Sequence, residues 1–337
     1  MYSSLKNLFG NTDIWYMEQK DIDAAIEHLM IRTNGEILSR IEQLSDNVSI
    51  EDTATTVHCH MLKIDANGHT RLNDLVEFID SKLVEYAIPK KEIDEARKDF
   101  NTTGSPHKIL ALKRKAESLF TDLNNTGEGG EILLYILTQE FLGYPQLLSK
   151  MSLKTSGQLH YQGADGIHVG YDKEQRNLHL YWGESKMYKT INDAVSACVL
   201  SIKDYLLNPQ GASTVQERDL QLITSNISSN VNDPVFEDLL VHYFDKDSDF
   251  SNHVIYKGIC FIGFDNNTYP SNDDLSKTTI SIKEQLEQEL ESWYALLKNN
   301  IKKHLNLDKK EIHFFLMPFP SVEEFREKFL KTIHREC

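Results

Sequence analysis

The sequence predicts an α/β protein: a mixed β-sheet flanked by helices, with a helix-rich N-terminal region. Three observations lead there. Two runs at 161–171 and 178–187 alternate apolar and polar positions, and the six polar residues between them are too few for a crossover helix. The run HVIYKGICFIGF at 253–264 is apolar but for His253 and Lys257, as a strand covered on both faces is. Beyond it come a helix (279–304), a strand (311–317) and a last helix opened by SVEE at 321–324, the order that parallel crossovers produce.

In chain order, 21–30 and 34–44 show the 3.6-residue period and predict helices. TTVHCHMLKI at 55–64 reads as a strand, and the DANG turn at 65–68 leads to a helix over 71–86. His58 and His60 flank Cys59, but alternation puts the imidazoles on one face and the thiol on the other, so the three do not chelate together. They read as ordinary sheet residues. Pro89 opens a helix through 99, NTTGSP at 101–106 is a loop, and 107–123 is helical. The expected organisation is a helix-rich region over 1–120 with one strand, and a second domain over 121–337. The strand at 55–64 needs a sheet to join, and the second region offers one.

The helix predicted over 127–142 is apolar around most of its circumference and so is buried. Its narrow remaining strip holds Glu131, Tyr135 and Thr138, with Glu128 one turn earlier. Either acid alone is explained by the positive end of the helix dipole; the two together are explained less well.

In the hairpin, period-2 alternation places Asp165 on the face of Ile167 and Val169, and Glu184 and Lys186 on the face of Leu180 and Trp182. Antiparallel pairing of the runs brings Asp165 close to Glu184. Two carboxylates on one sheet face repel unless a proton or cation lies between them, and one lysine compensates only in part. A hard divalent ion suits the site: Mg²⁺, with Mn²⁺ as a substitute, is held by carboxylate and carbonyl oxygens, keeps several waters and shares its ligands with phosphate. Lys186 is then placed to orient or deprotonate a water, or to neutralise charge on a phosphorane. A Glu-x-Lys tripeptide on a strand is more often a solvated ion pair. Here it ends an apolar, aromatic-rich strand, and Gly163 and Gly166 flank the Asp.

The following helix, 191–207, carries an inward stripe of Ala194, Val195, Cys198, Val199 and Ile202, and NPQG at 208–211 ends it. A helix is expected over 215–229. The stretch 230–252 is acidic and polar, and the Asp245, Asp247 and Asp249 of its DKDSDF read as a solvated turn, because the glycine and distal glutamate of an EF-hand loop are missing.

The 337 residues carry a formal net charge of −15, which argues against a freely diffusing nonspecific DNA binder. Between 144 and 190, however, six cationic side chains face four carboxylates, a local excess of two. This balance fits DNA delivered to that face by a partner. The four cysteines, at 59, 198, 260 and 337, have no metal-binding spacing, and no signal peptide or long apolar span is present, which together predict a reduced, cytoplasmic protein with no membrane partner.

An acidic helix, an Asp in a strand, Glu-x-Lys in the next strand and then a helix together resemble the core of the PD-(D/E)xK nuclease superfamily. More narrowly, GEGGEILLYIL, KMSLKTSGQLHYQGADGIHV and LYWGESKMYKTINDAVSACVLSI resemble the HamA family, the nuclease subunits of the Hachiman anti-phage system. Gly163-Ala164 stands where the superfamily's proline would be. The resemblance implies a Mg²⁺-dependent deoxyribonuclease working beside the helicase-like subunit HamB. It implies metal ligands at Asp165, Glu184, the Ser185 carbonyl and Glu131, the last directly or through water, with Glu128 as its alternate, and it gives Lys186 the attacking water. A catalytically inactive partner-binding subunit on a nuclease fold, and a ribonuclease, are the other readings.

Overall fold

The computed structural model of the chain describes residues 22–31, 35–120, 127–148, 151, 163–207, 215–231, 234–270 and 276–334. Its strands are β1 (Ile41–Ser49), β2 (Thr55–Leu62), β3 (Gln146–Leu148), β4 (Gly166–Asp172), β5 (Asn177–Tyr188), β6 (Val254–Asp265) and β7 (Ile312–Phe319). They form one sheet in the order β1-β2-β7-β6-β5-β4-β3. The middle four, β2, β7, β6 and β5, run parallel. β1 is antiparallel at one edge, and β4 and then β3 are antiparallel at the other. This is the mixed α/β sheet the sequence predicts. β6 is central and buried from Lys257 through Phe264, in keeping with the apolar run that follows Lys257.

The helices are α1 (22–29), α2 (Leu72–Ser81), α3 (Leu83–Ala87), α4 (Lys90–Thr103), α5 (His107–Glu117), α6 (Glu128–Leu137), α7 (Ile191–Leu207), α8 (Val215–Asn230), α9 (Pro234–Phe244), α10 (Thr279–Glu287), α11 (Leu290–Lys302) and α12 (Val322–Ile333). Two of them sandwich β5. On one face Tyr205 of α7 stacks on Trp182 with centroids 5.1 Å apart. On the other, α6 lies so close that a Cβ added to Gly183 would stand 3.0 Å from Leu134 Cδ2. Among the described residues no helix is long and apolar enough to cross a membrane.

Several expectations are corrected. The helix predicted over 34–44 is instead a 3-10 turn, Glu36–Ser39, followed by edge strand β1. Register shifts between Gln43 and Ser45 and between Ser45 and Val48 break the alternation of β1, so its buried positions fall at Ile41 and Leu44, a spacing of three that imitates a helix. The stretch 230–252, described from the sequence only as acidic and polar, contains α9, whose Phe236, Leu239, Leu240 and Tyr243 are buried at helical spacing. Asp245, Asp247 and Asp249 do lie in a turn and a 3-10 segment, with Asp245 Oδ1 accepting from the Asp247 N–H. The helices at 71–86 and 279–304 are each broken, at Lys82 and at Gln288-Glu289, and the helix from 127 gives way to a π turn at Thr138–Leu142. The first hairpin strand begins at Gly166, after the non-strand residues 163–165, and 161–162 of the expected strand lie outside the described residues. The three-residue β3 was not anticipated, being too short to show a period.

Candidate active site

The β4–β5 register sets the site. Gly166 pairs with Gly183 and Ile167 with Trp182, so the next step of the ladder sets Asp165 opposite Glu184. The Asp165 N–H donates to the Gly183 carbonyl at 2.8 Å, which continues the ladder one residue beyond the strand. Directly opposed residues in an antiparallel pair share a face, with Cβ atoms about 5 Å apart. The carboxylate of Asp165 is further fixed by the Ser185 N–H, which donates to its Oδ2 at 2.8 Å. Glu184 is 4% exposed, and the Lys186 ammonium donates to its Oε2 at 2.8 Å. Asp165, Glu184 and Lys186 therefore come together as the alternation predicts, and Ser185 ties the first to the strand that carries the other two.

Lys186 is the cation of this cluster. Burial works against its ammonium, but attraction to Glu184 first and Asp165 next outweighs that and holds it protonated well above the ordinary lysine range. One ammonium against two carboxylates leaves a net negative site. Tyr205 presents its ring to Trp182, and burial, with the negative charges of Asp219, Glu184 and Asp165, pushes its phenol far up.

The helix carboxylate arrives from the other face. Side chains alternate along β5, so Gly183, Ser185 and Met187 face α6 while Glu184 and Lys186 face α7. A Cβ at Gly130 of α6 would fall 2.5 Å from Ser185 Oγ, so glycine at this position lets the helix approach β5. Glu131 is next on that helix. Its Oε2 accepts from the Tyr86 hydroxyl at 3.1 Å, and the same hydroxyl lies 3.5 Å from the Asp165 carbonyl. Glu128, 5% exposed, stands one turn earlier in α6. Burial, followed by the charges of Glu131 and Asp165 and then of Glu128, pushes the Tyr86 phenol well above its ordinary range. Glu131 thus reaches the main chain of Asp165 through Tyr86, from the face opposite Glu184.

The donors are hard oxygens, and among the described residues no three carboxylate, imidazole or thiol side chains are arranged to hold a metal ion between them. That donor set does not suit a structural zinc, which takes four converging ligands. It fits Mg²⁺, which is held by one or two carboxylates and keeps most of its waters.

Two residues of this neighbourhood were missed in the sequence. Asp219 of α8 is fully buried, and its Oδ2 accepts from the Ala164 N–H at 2.9 Å, fixing the residue before Asp165. A signal existed: Asp219 precedes Ile223 and Ile227 at steps of four, which places a carboxylate on the buried stripe of its helix. Tyr86 gave none, because an aromatic on the apolar side of a helix reads as core.

His58, Cys59 and His60 lie apart from this centre. His58 Nδ1 is 2.7 Å from Asp46 Oδ1 and its Nε2 is 3.1 Å from His313 Nδ1. The His60 ring lies 4.4 Å from that of Phe141, while Cys59 Sγ is 3.9 Å from the Tyr294 hydroxyl.

Compared with known proteins, residues 38–333 match the model of a family described as HamA. No curated protein matches the chain.

Proposed function

The chain belongs to the HamA family, a component of Hachiman anti-phage defence, and from that premise we propose that it is the effector nuclease, hydrolysing DNA phosphodiester bonds with Mg²⁺ beside a helicase-like partner, HamB. The proposal includes a PD-(D/E)xK-type core within the α/β sheet. The observation that carries it is the convergence of Asp165, tied to the Ser185 N–H, with Glu184 and its 2.8 Å ion pair to Lys186.

Asp165 and Glu184 would hold the metal, with the Ser185 carbonyl and, directly or through water, Glu131 as further donors and Mn²⁺ as an alternate ion. Bound there, Mg²⁺ supplies Lewis-acid polarisation of the phosphate and lowers the pKa of a coordinated water. Asp165 is pinned by two main-chain bonds, so its carboxylate needs little reorganisation to receive a ligand. Lys186 shares the face of Glu184, where its ammonium orients the attacking water and neutralises charge that builds on the phosphate oxygens. The net charge of −15 favours delivery of DNA by the partner over capture from solution.

Plasmid cleavage with the helicase-like subunit present compares wild type with Glu184→Ala and Lys186→Ala. Loss of Mg²⁺-dependent nicking in both variants is expected, and equal nicking by all three removes the mechanism. A parallel RNA substrate tests the ribonuclease reading, and the absence of cleavage under every partner and substrate condition would favour a catalytically silent subunit.

A further inference from the structure

We infer that Tyr188 is a stacking platform for a nucleobase of the strand being cut, so that the strand meets the site unpaired; the inference rests on the nuclease reading above for where the cut falls. β5 outruns β4. Their pairing stops at Gly166 with Gly183, and the Asp165 N–H adds one bond beyond it. β5 then continues to Tyr188 paired with β6, while among the described residues no strand borders its other edge. Ser185 and Met187 turn toward α6, so alternation puts Tyr188 on the face of Glu184 and Lys186. Two residues of strand set it about 7 Å beyond Lys186.

The ring is free to receive a base. Tyr188 is 42% exposed, and its side chain makes no ring contact or hydrogen bond. Among the described aromatic side chains only Phe100, on the distant α4, is exposed to a like degree. Cations border the ring. Lys189 follows it and is exposed, and Arg326 of α12 reaches the bare edge of β5, where its Nη2 donates to the Met187 carbonyl at 2.6 Å. A nucleic-acid backbone along this edge passes both Lys186 and Arg326. The net charge of −15 keeps phosphate attraction to the chain weak, so a strand held here also needs an uncharged contact, and stacking on an open ring supplies one. Inside a duplex each base is covered by its neighbours, and only an unstacked base offers its face to the ring. A helicase-like partner would deliver a strand in that state.

The test reads binding of a fluorescein-labelled single-stranded oligodeoxynucleotide by the full chain, at low ionic strength and in EDTA so that nothing is cut. Tyr188→Ala should weaken binding about 5- to 150-fold, the worth of one stacked base. Tyr188→Trp should bind at least as tightly as wild type, and neither variant should change binding of the same sequence as a duplex. Equal single-strand affinity in wild type and Tyr188→Ala overturns the inference. So does an equal loss on duplex, which marks Tyr188 as a general contact, or a wild type that does not bind the single strand. An oligonucleotide carrying 5-iododeoxyuridine gives a second readout on the unaltered chain: irradiation should cross-link it to the peptide holding Tyr188, and cross-links confined to other peptides overturn the inference. Failure of the nuclease reading looks different. If Tyr188→Ala loses affinity but wild type cuts no substrate with the helicase-like subunit present, stacking holds and the nuclease reading falls. If Glu184→Ala abolishes cleavage while Tyr188→Ala keeps the wild-type KM for the single strand, only this inference falls.

Discussion

Replacing Lys186 by Met should lower the melting temperature of the metal-free chain by about 4 °C, and changing Glu184 to Gln as well should restore most of it. The Lys186 ammonium stands 2.8 Å from Glu184 Oε2, with the carboxylate almost fully buried and the lysine side chain 23% exposed. At an effective dielectric of about 20 the gross attraction is about 6 kcal/mol. The ammonium was itself taken from water, which removes roughly half of that and leaves a net loss of about 3 kcal/mol when Glu184 faces Asp165 without it. Unfolding entropy of about 2 cal/mol/K per residue gives the 337-residue chain close to 0.7 kcal/mol/K, hence about 4 °C. Methionine keeps the aliphatic stem, so the lost quantity is the charge. The assay is thermal denaturation in EDTA of wild type, Lys186→Met and Glu184→Gln/Lys186→Met. A single variant that melts with or above wild type, or a double variant no better than the single, refutes the claim that Asp165 and Glu184 repel each other across the hairpin.

Other consequences can be measured in the same way. Burial pushes His60 and His168 down to about 4, below the ordinary value near 6.5, so the unfolded chain takes up more protons between those limits. Their contribution is therefore complete above pH ~6.5 and lost as pH falls toward ~4, at up to about 3 kcal/mol each; the urea midpoint should drop from pH 7 to pH 5, less so in His60→Leu, and a flat profile contradicts this. Gly130→Ala puts a methyl 2.5 Å from Ser185 Oγ and 3.0 Å from Met187 Sδ. Overpacking of about 2 kcal/mol outweighs the helix-propensity gain of about 1 kcal/mol, so chemical denaturation should show a small net loss, and a stabilised variant would show that β5 gives way freely. Asp219→Ala removes the acceptor of the Ala164 N–H, at a cost of about 1–3 kcal/mol; amide exchange at 163–166 should speed up, and unchanged protection would mean that Asp219 does not hold the Asp165 segment.

What could be read from the sequence follows from the range of each signal. The facing of Glu184 and Lys186, and the antiparallel approach of Asp165, were legible because strand alternation and a six-residue turn are local facts. The boundaries of α7 were legible for the same reason, since an uninterrupted stripe ends at Asn-Pro. β1 was not, because its bulges shift buried residues to a spacing of three. α9 was hidden by the acidic residues around its four buried apolar positions. The side of the sheet from which Glu131 comes was not legible either: it depends on α6 packing over Gly183 and on Tyr86, 45 positions earlier, and no local pattern encodes a contact across that distance.

The pairing of β2 with β7 joins Val57 to Phe314, so the sheet is completed only when about 250 intervening residues have been gathered between them. β7 is the strip that seams two half-sheets, β1-β2 on one side and β6-β5-β4-β3 on the other. A nascent polypeptide that has not yet reached residue 312 carries the carboxylate hairpin on a half-sheet whose β6 margin is still bare, a margin open to mispairing. Maturation is thus gated by the slowest kind of closure, parallel and distant in sequence, and a lesion that frays 312–319 would separate the two halves without touching a single acid of the centre.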